Sequence, residues 1–75
     1  MDELAQEILN LVKIKMIEQA AFDRDAYNDL IEETIQDFRT NGKMTDDDND
    51  EFIVAELMDI WEEVEEEMAE HRKNI

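Results

Sequence analysis

The sequence predicts an all-α fold, a small three-helix bundle with helices at about 3–21, 24–41 and 46–72 in one domain spanning 1–75. Apolar residues recur at helical spacings of three and four along each of these stretches. Capping residues and the single glycine, Gly42, separate the stretches, and the chain has no proline to interrupt them.

In the first stretch Asp2 is positioned to cap the helix, its carboxylate accepting an otherwise unpaired backbone N–H of the first turn. Leu4, Ala5, Ile8, Leu9, Leu11, Val12 and Met16 share one broad apolar face. At ~100° per residue, Ile14 and Ile17 project from the far side of that helix. A chain of this length buries only about 60% of the surface its unfolded form exposes, so extra apolar surface on one helix points to a homodimer seam at Ile14 and Ile17. Val12 to Met16 also alternates apolar and basic residues like a strand, the one local pattern that competes with a helix here.

The second helix is expected to start after Asp23, with Phe22 and Tyr27 at the two positions of a hydrophobic staple. Tyr27, Leu30, Ile31, Thr34, Ile35 and Phe38 then form a continuous stripe. Asn41 and Gly42 end it, because glycine accepts the left-handed conformation of a C-terminal cap, and Arg39 and Lys43 lie where the helix dipole favours cations. In the third stretch Thr45 and Asp48 have the spacing of a capping box. Ile53, Val54, Leu57, Met58, Ile60, Trp61, Val64, Met68 and His71 line one arc, opposite Glu56, Asp59, Glu62, Glu63, Glu66, Glu67 and Glu70.

The composition removes several functions. Cysteine is absent, which excludes disulfides and cysteine-built zinc sites. Nucleophilic catalysis has little to work with, since there is no Ser or Cys and one His, so no enzyme and no catalytic residue is expected. Thr45, Asp47, Asn49 and Glu56 fall at EF-hand ligand positions, but Thr45 stands where the first Asp belongs and Asp50 where the turn glycine belongs. A di-iron Glu-x-x-His motif fails because Met68 stands three residues before His71. No metal and no cofactor is therefore expected. The acidic start, Met1-Asp2-Glu3, is unlike a secretory leader, and no apolar run approaches the ~20 residues that span a bilayer, so a cytoplasmic location is expected.

Twenty-three Asp and Glu against seven Lys and Arg leave a net charge of −16, which opposes binding to nucleic acid or an anionic membrane and favours a basic protein partner. Thirteen of those acids lie between Asp46 and Glu70, with no Lys or Arg among them. Asp59 with Glu63, Glu62 with Glu66, Glu63 with Glu67, and Glu66 with Glu70 are like-charge pairs, each unfavourable by ~0.2–0.5 kcal/mol. A face meant only for solubility would intersperse both signs. As one helix, this run would average one charge per ~3 Å of axis, against ~3.4 Å per phosphate on one DNA strand. Asp29, Glu32, Glu33 and Asp37 offer a second row.

In its acidic run, size and helicity the chain resembles the small acidic helical DNA-mimic proteins with which phages and other mobile elements inhibit host DNA-binding machinery. That resemblance implies an inhibitor that occupies the basic DNA-binding surface of a nuclease, nucleoid protein, polymerase or sliding clamp, often as a dimer. The partner-binding residues would be Asp46, Asp47, Asp48, Asp50, Glu56, Asp59, Glu62, Glu63, Glu66, Glu67 and Glu70. The alternative is a helical adaptor or assembly subunit that binds a protein through the apolar faces of its first helix.

Overall fold

The computed structural model describes residues 2–45 and 48–73. The described residues form four α-helices and no strand: α1 (Glu3–Gln19), α2 (Arg24–Thr40), α3 (Asp50–Asp59) and α4 (Trp61–Lys73). The all-α expectation holds, whereas the three-helix count does not, because the third stretch starts later than its acids suggest and breaks at Ile60.

Asp2 caps α1, its Oδ1 accepting the Ala5 N–H at 2.9 Å, and Asp23 caps α2 in the same way through the Ala26 N–H at 2.7 Å. The segment Val12 to Met16 is helical, since its alternation is overruled by the wider spacing that buries Ala5, Ile8, Leu9, Val12 and Met16. Leu11, expected on that face, is instead exposed.

Both α1 and α2 end in the same pattern of crossed backbone bonds. After α2, Lys43 N–H donates to Phe38 O at 2.8 Å and Gly42 N–H to Arg39 O at 3.2 Å, with Gly42 left-handed at φ 77°. After α1, Ala21 N–H donates to Met16 O at 2.9 Å and Ala20 N–H to Ile17 O at 3.3 Å. Here the left-handed position, φ 52°, is filled by Ala20, so α1 stops before the expected residue 21 without a glycine to announce it.

At the expected capping box Thr45 and Asp48 are joined by its return arm. The Asp48 carboxylate accepts the Thr45 N–H at 2.9 Å while the Asp48 N–H donates to Thr45 O at 3.0 Å, but α3 does not open until Asp50. Asn49 is the cap of α3, its Oδ1 accepting the Phe52 N–H at 3.1 Å. Arg39 of α2 explains the delay: its Nε donates to Asp50 Oδ2 at 3.0 Å, its Nη2 donates to Asp50 Oδ1, and the same Nη2 reaches Asp48 O at 3.4 Å. A guanidinium thus holds the start of α3 against the end of α2, a bidentate geometry that lysine lacks.

The break at Ile60 follows from a buried hydroxyl. Tyr27 on α2 has no exposed surface and donates its phenolic O–H to Leu57 O at 2.6 Å. In an unbroken helix that carbonyl would accept the Trp61 N–H. Ile60 has φ −97° and ψ 14°, its carbonyl accepts the Glu63 and Val64 N–H groups, and a new helix begins at Trp61. The Trp61 ring then lies 4.9 Å from the Tyr27 ring, tilted by 36°.

One core joins the four helices: Ala5 to Met16 from α1, Tyr27 to Phe38 from α2, Ile53 and Leu57 from α3, Val64 and Met68 from α4, and Met44 from the α2–α3 connection. The stripe expected on α2 is buried throughout, including Thr34, whose hydroxyl donates to Leu30 O at 2.8 Å. Among the described residues no helix is long and apolar enough to cross a membrane.

Candidate partner-binding surface

On α4, Val64 and Met68 face the core, and Glu62, Glu63, Glu66, Glu67 and Glu70 are exposed on the opposite arc. These are five of the residues assigned from sequence, and the structure brings them together on one face. Asp59 is exposed at the end of α3, while Glu56, Asp48 and Asp50 are half-buried. Asp46 and Asp47 lie outside the described residues.

The helix break changes the charge geometry. Asp59 and Glu63 fall on different helices, so their like-charge pairing along one helix does not occur. Within α4, however, Glu62, Glu63, Glu65, Glu66, Glu67 and Glu70 place six carboxylates along ~12 Å of axis. That is one per ~2.4 Å, between the ~1.7 Å per phosphate of a complete duplex and the ~3.4 Å of one strand. Glu65, exposed on the flank of this face, belongs with the others; its position toward the apolar side of the helical wheel hid it in the sequence.

Two lysines of α1 are engaged from within the chain. Lys13 Nζ lies 2.7 Å from Glu67 Oε2, fastening α1 to α4. Lys15 Nζ lies 3.2 Å from Asp37 Oδ2 and 3.9 Å from Glu33 Oε2, fastening α1 to α2. These pairs are partly exposed and each contributes at most ~1 kcal/mol, but they draw the basic side chains of α1 toward acids that would otherwise stand alone. Glu67 and Asp50, both assigned to partner binding, already hold Lys13 and Arg39 respectively.

Two further surfaces stand out. Leu11, Ile14 and Ile17 are 38%, 50% and 39% exposed, a strip of three large apolar side chains spaced by three residues along α1. Ile14 and Ile17 were legible as off-face residues, and Leu11 joins them. Between α2 and α3 runs a groove of about 480 Å³, lined by buried Ile35, by Val54 and Ala55, and by the exposed Glu32 and Glu51. Sequence reasoning missed it because its two walls belong to different helices and neither half is distinctive alone.

Tyr27 is clearly displaced from its ordinary range: burial pushes its phenol up to about 12. Its hydroxyl is committed to Leu57, and it serves the fold. Among the described residues no cluster of three or more His, Asp and Glu is placed to hold a metal ion. No protein-family model, no curated protein and no solved structure matches the chain.

Proposed function

We propose that this protein is a DNA-mimic inhibitor, which binds the basic DNA-contacting surface of another protein through the outer face of α4 and keeps DNA from it. The observation that carries this reading is the exposed row of Glu62, Glu63, Glu66, Glu67 and Glu70, whose spacing of ~3 Å per charge along the helix is close to that of the phosphates on one DNA strand. The molecule measures 40 × 21 × 20 Å, so its long dimension is comparable with the ~34–36 Å of one duplex turn. Electrostatic attraction would steer a basic partner to this face from a distance and give it a fast association rate.

The test is capture by immobilised protein from a lysate of cells rich in DNA-binding proteins, at low and at high salt. A mimic retains a discrete basic protein at low salt, releases it as salt rises, and releases it also when duplex DNA is added. Retention that is indifferent to both salt and DNA argues against mimicry.

The exposed strip Leu11, Ile14 and Ile17 favours a second, separable contact. In the mimic reading it is a seam between two copies, doubling the charged surface; in the adaptor reading it docks on an apolar groove of another protein. Apolar docking persists at high salt, which separates the adaptor from the mimic.

A further inference from the structure

We infer that the groove between α2 and α3 is a second docking site, for a basic segment of a protein partner in which an arginine or lysine adjoins an apolar residue. The inference rests on the reading that the partner is a basic protein, but it concerns a surface away from the outer face of α4. Its lining is mostly apolar, with Ile35 buried beneath it and Val54 and Ala55 at its wall, and the volume of about 480 Å³ falls within the range of pockets that enclose a specific ligand group.

Charge complementarity selects the occupant. Glu32 on α2 and Glu51 on α3 face the groove from its two sides, both are exposed, and among the described residues neither makes an ion pair. Asp50, also on the lining, is already held by the Arg39 guanidinium. Counting Arg39 against Glu32, Asp50 and Glu51, the site remains net negative. An apolar floor under a rim of carboxylates matches a side chain that is itself apolar along its stem and cationic at its tip. Arginine and lysine have that form: the methylenes lie on Val54 and Ala55 while the head lies between Glu32 and Glu51. The Arg39–Asp50 pair is the same chemistry, made by the chain with its own guanidinium at the edge of the same groove. Gln36, exposed beside Ile35, supplies a neutral donor and acceptor for the backbone of an incoming segment.

The probe is a short labelled synthetic peptide carrying arginines beside leucines, with a twin of equal charge in which serine replaces each leucine. Binding is followed by fluorescence anisotropy at physiological salt, and its location by amide chemical-shift changes. The leucine peptide is expected to bind about tenfold more tightly than its twin, since a buried leucine gains more than tenfold requires. Shift changes should concentrate at 32–36 and 50–55. The double variant Glu32→Gln, Glu51→Gln, at exposed positions that leave the core intact, should weaken binding about three- to tenfold. Replacing Glu62, Glu63, Glu66, Glu67 and Glu70 by Gln should change peptide affinity by less than the groove variant does. Equal affinity for the two peptides, shifts centred on α4, or an unaffected groove variant would each overturn the inference. The α4 reading fails separately, if the Gln variant of α4 keeps its cellular target while the peptide still maps to the groove.

Discussion

The Tyr27 hydroxyl donates to the Leu57 carbonyl across 2.6 Å, and the helix that a continuous apolar arc would have built turns into two at that point. Leu57 lies in the last turn of α3, where carbonyls have no partner inside the helix, so the phenol satisfies a group that would otherwise be buried and unpaired. Replacing Tyr27 by Phe keeps the ring but removes that donor. Thermal or denaturant unfolding of Tyr27→Phe should show a loss of roughly 1–3 kcal/mol. An unchanged stability would indicate that the Leu57 carbonyl regains the Trp61 N–H and that α3 and α4 merge, which amide hydrogen exchange at Trp61 would reveal.

Tyr27 is the only tyrosine, so tyrosinate absorbance reports this group alone. Its folded phenol titrates near 12, above the ordinary value of 10.0, because the buried site disfavours the charged form. The stabilising contribution is complete below pH ~10, where both folded and unfolded phenols are neutral, and declines as pH rises toward ~12 because only the unfolded phenol then gains by ionising. Two units correspond to roughly 2–3 kcal/mol. A spectrophotometric titration should give one late, cooperative step coincident with unfolding; ionisation near 10 in the folded protein would contradict the burial.

Ala20 is the αL residue that closes α1, and its Cβ makes that conformation unfavourable by ~1–2 kcal/mol. Glycine removes that strain but brings ~0.5–1 kcal/mol of extra unfolded-state freedom. Ala20→Gly should therefore stabilise the protein by about 0.5–1 kcal/mol, measurable as a rise in Tm. A fall in Tm would show that the α1 terminus is not held left-handed in solution.

The strip on α1 predicts self-association. Light scattering at micromolar concentration should report twice the chain mass, and Ile14→Glu, at a side chain half exposed in the single chain, should restore the monomer with little change in the fold. A monomer at every accessible concentration would leave Leu11, Ile14 and Ile17 to a different protein partner.

Much of this architecture was legible in the sequence because helix periodicity and capping are local. The Asp2 and Asp23 caps, the buried stripe from Tyr27 to Phe38, and the glycine after α2 follow from residues within a few positions of one another. What escaped was set by contacts between elements. Asp46 to Asp50 suggested an early helix start, yet Arg39 fixes the start at Asp50; the arc from Ile53 to Met68 suggested one helix, yet a tyrosine thirty residues before Leu57 divides it. The acidic face of α4 was visible as an alternation of apolar and acidic residues, whereas the α2–α3 groove needed two helices to be placed side by side.

DNA mimicry by the α4 face is decided by competition between this protein and duplex DNA for a captured basic target, with wild type set against a variant carrying Gln at Glu62, Glu63, Glu66, Glu67 and Glu70. The variant should remain folded: removing three like-charge pairs within α4 relieves ~0.6–1.5 kcal/mol, and losing the partly exposed Lys13–Glu67 pair removes at most ~1 kcal/mol. Wild type should displace DNA at low salt, the displacement should fade as salt rises, and the folded Gln variant should displace little or none. A Gln variant that competes as well as wild type would contradict mimicry, and the α4 face would then be no more than a solvated surface.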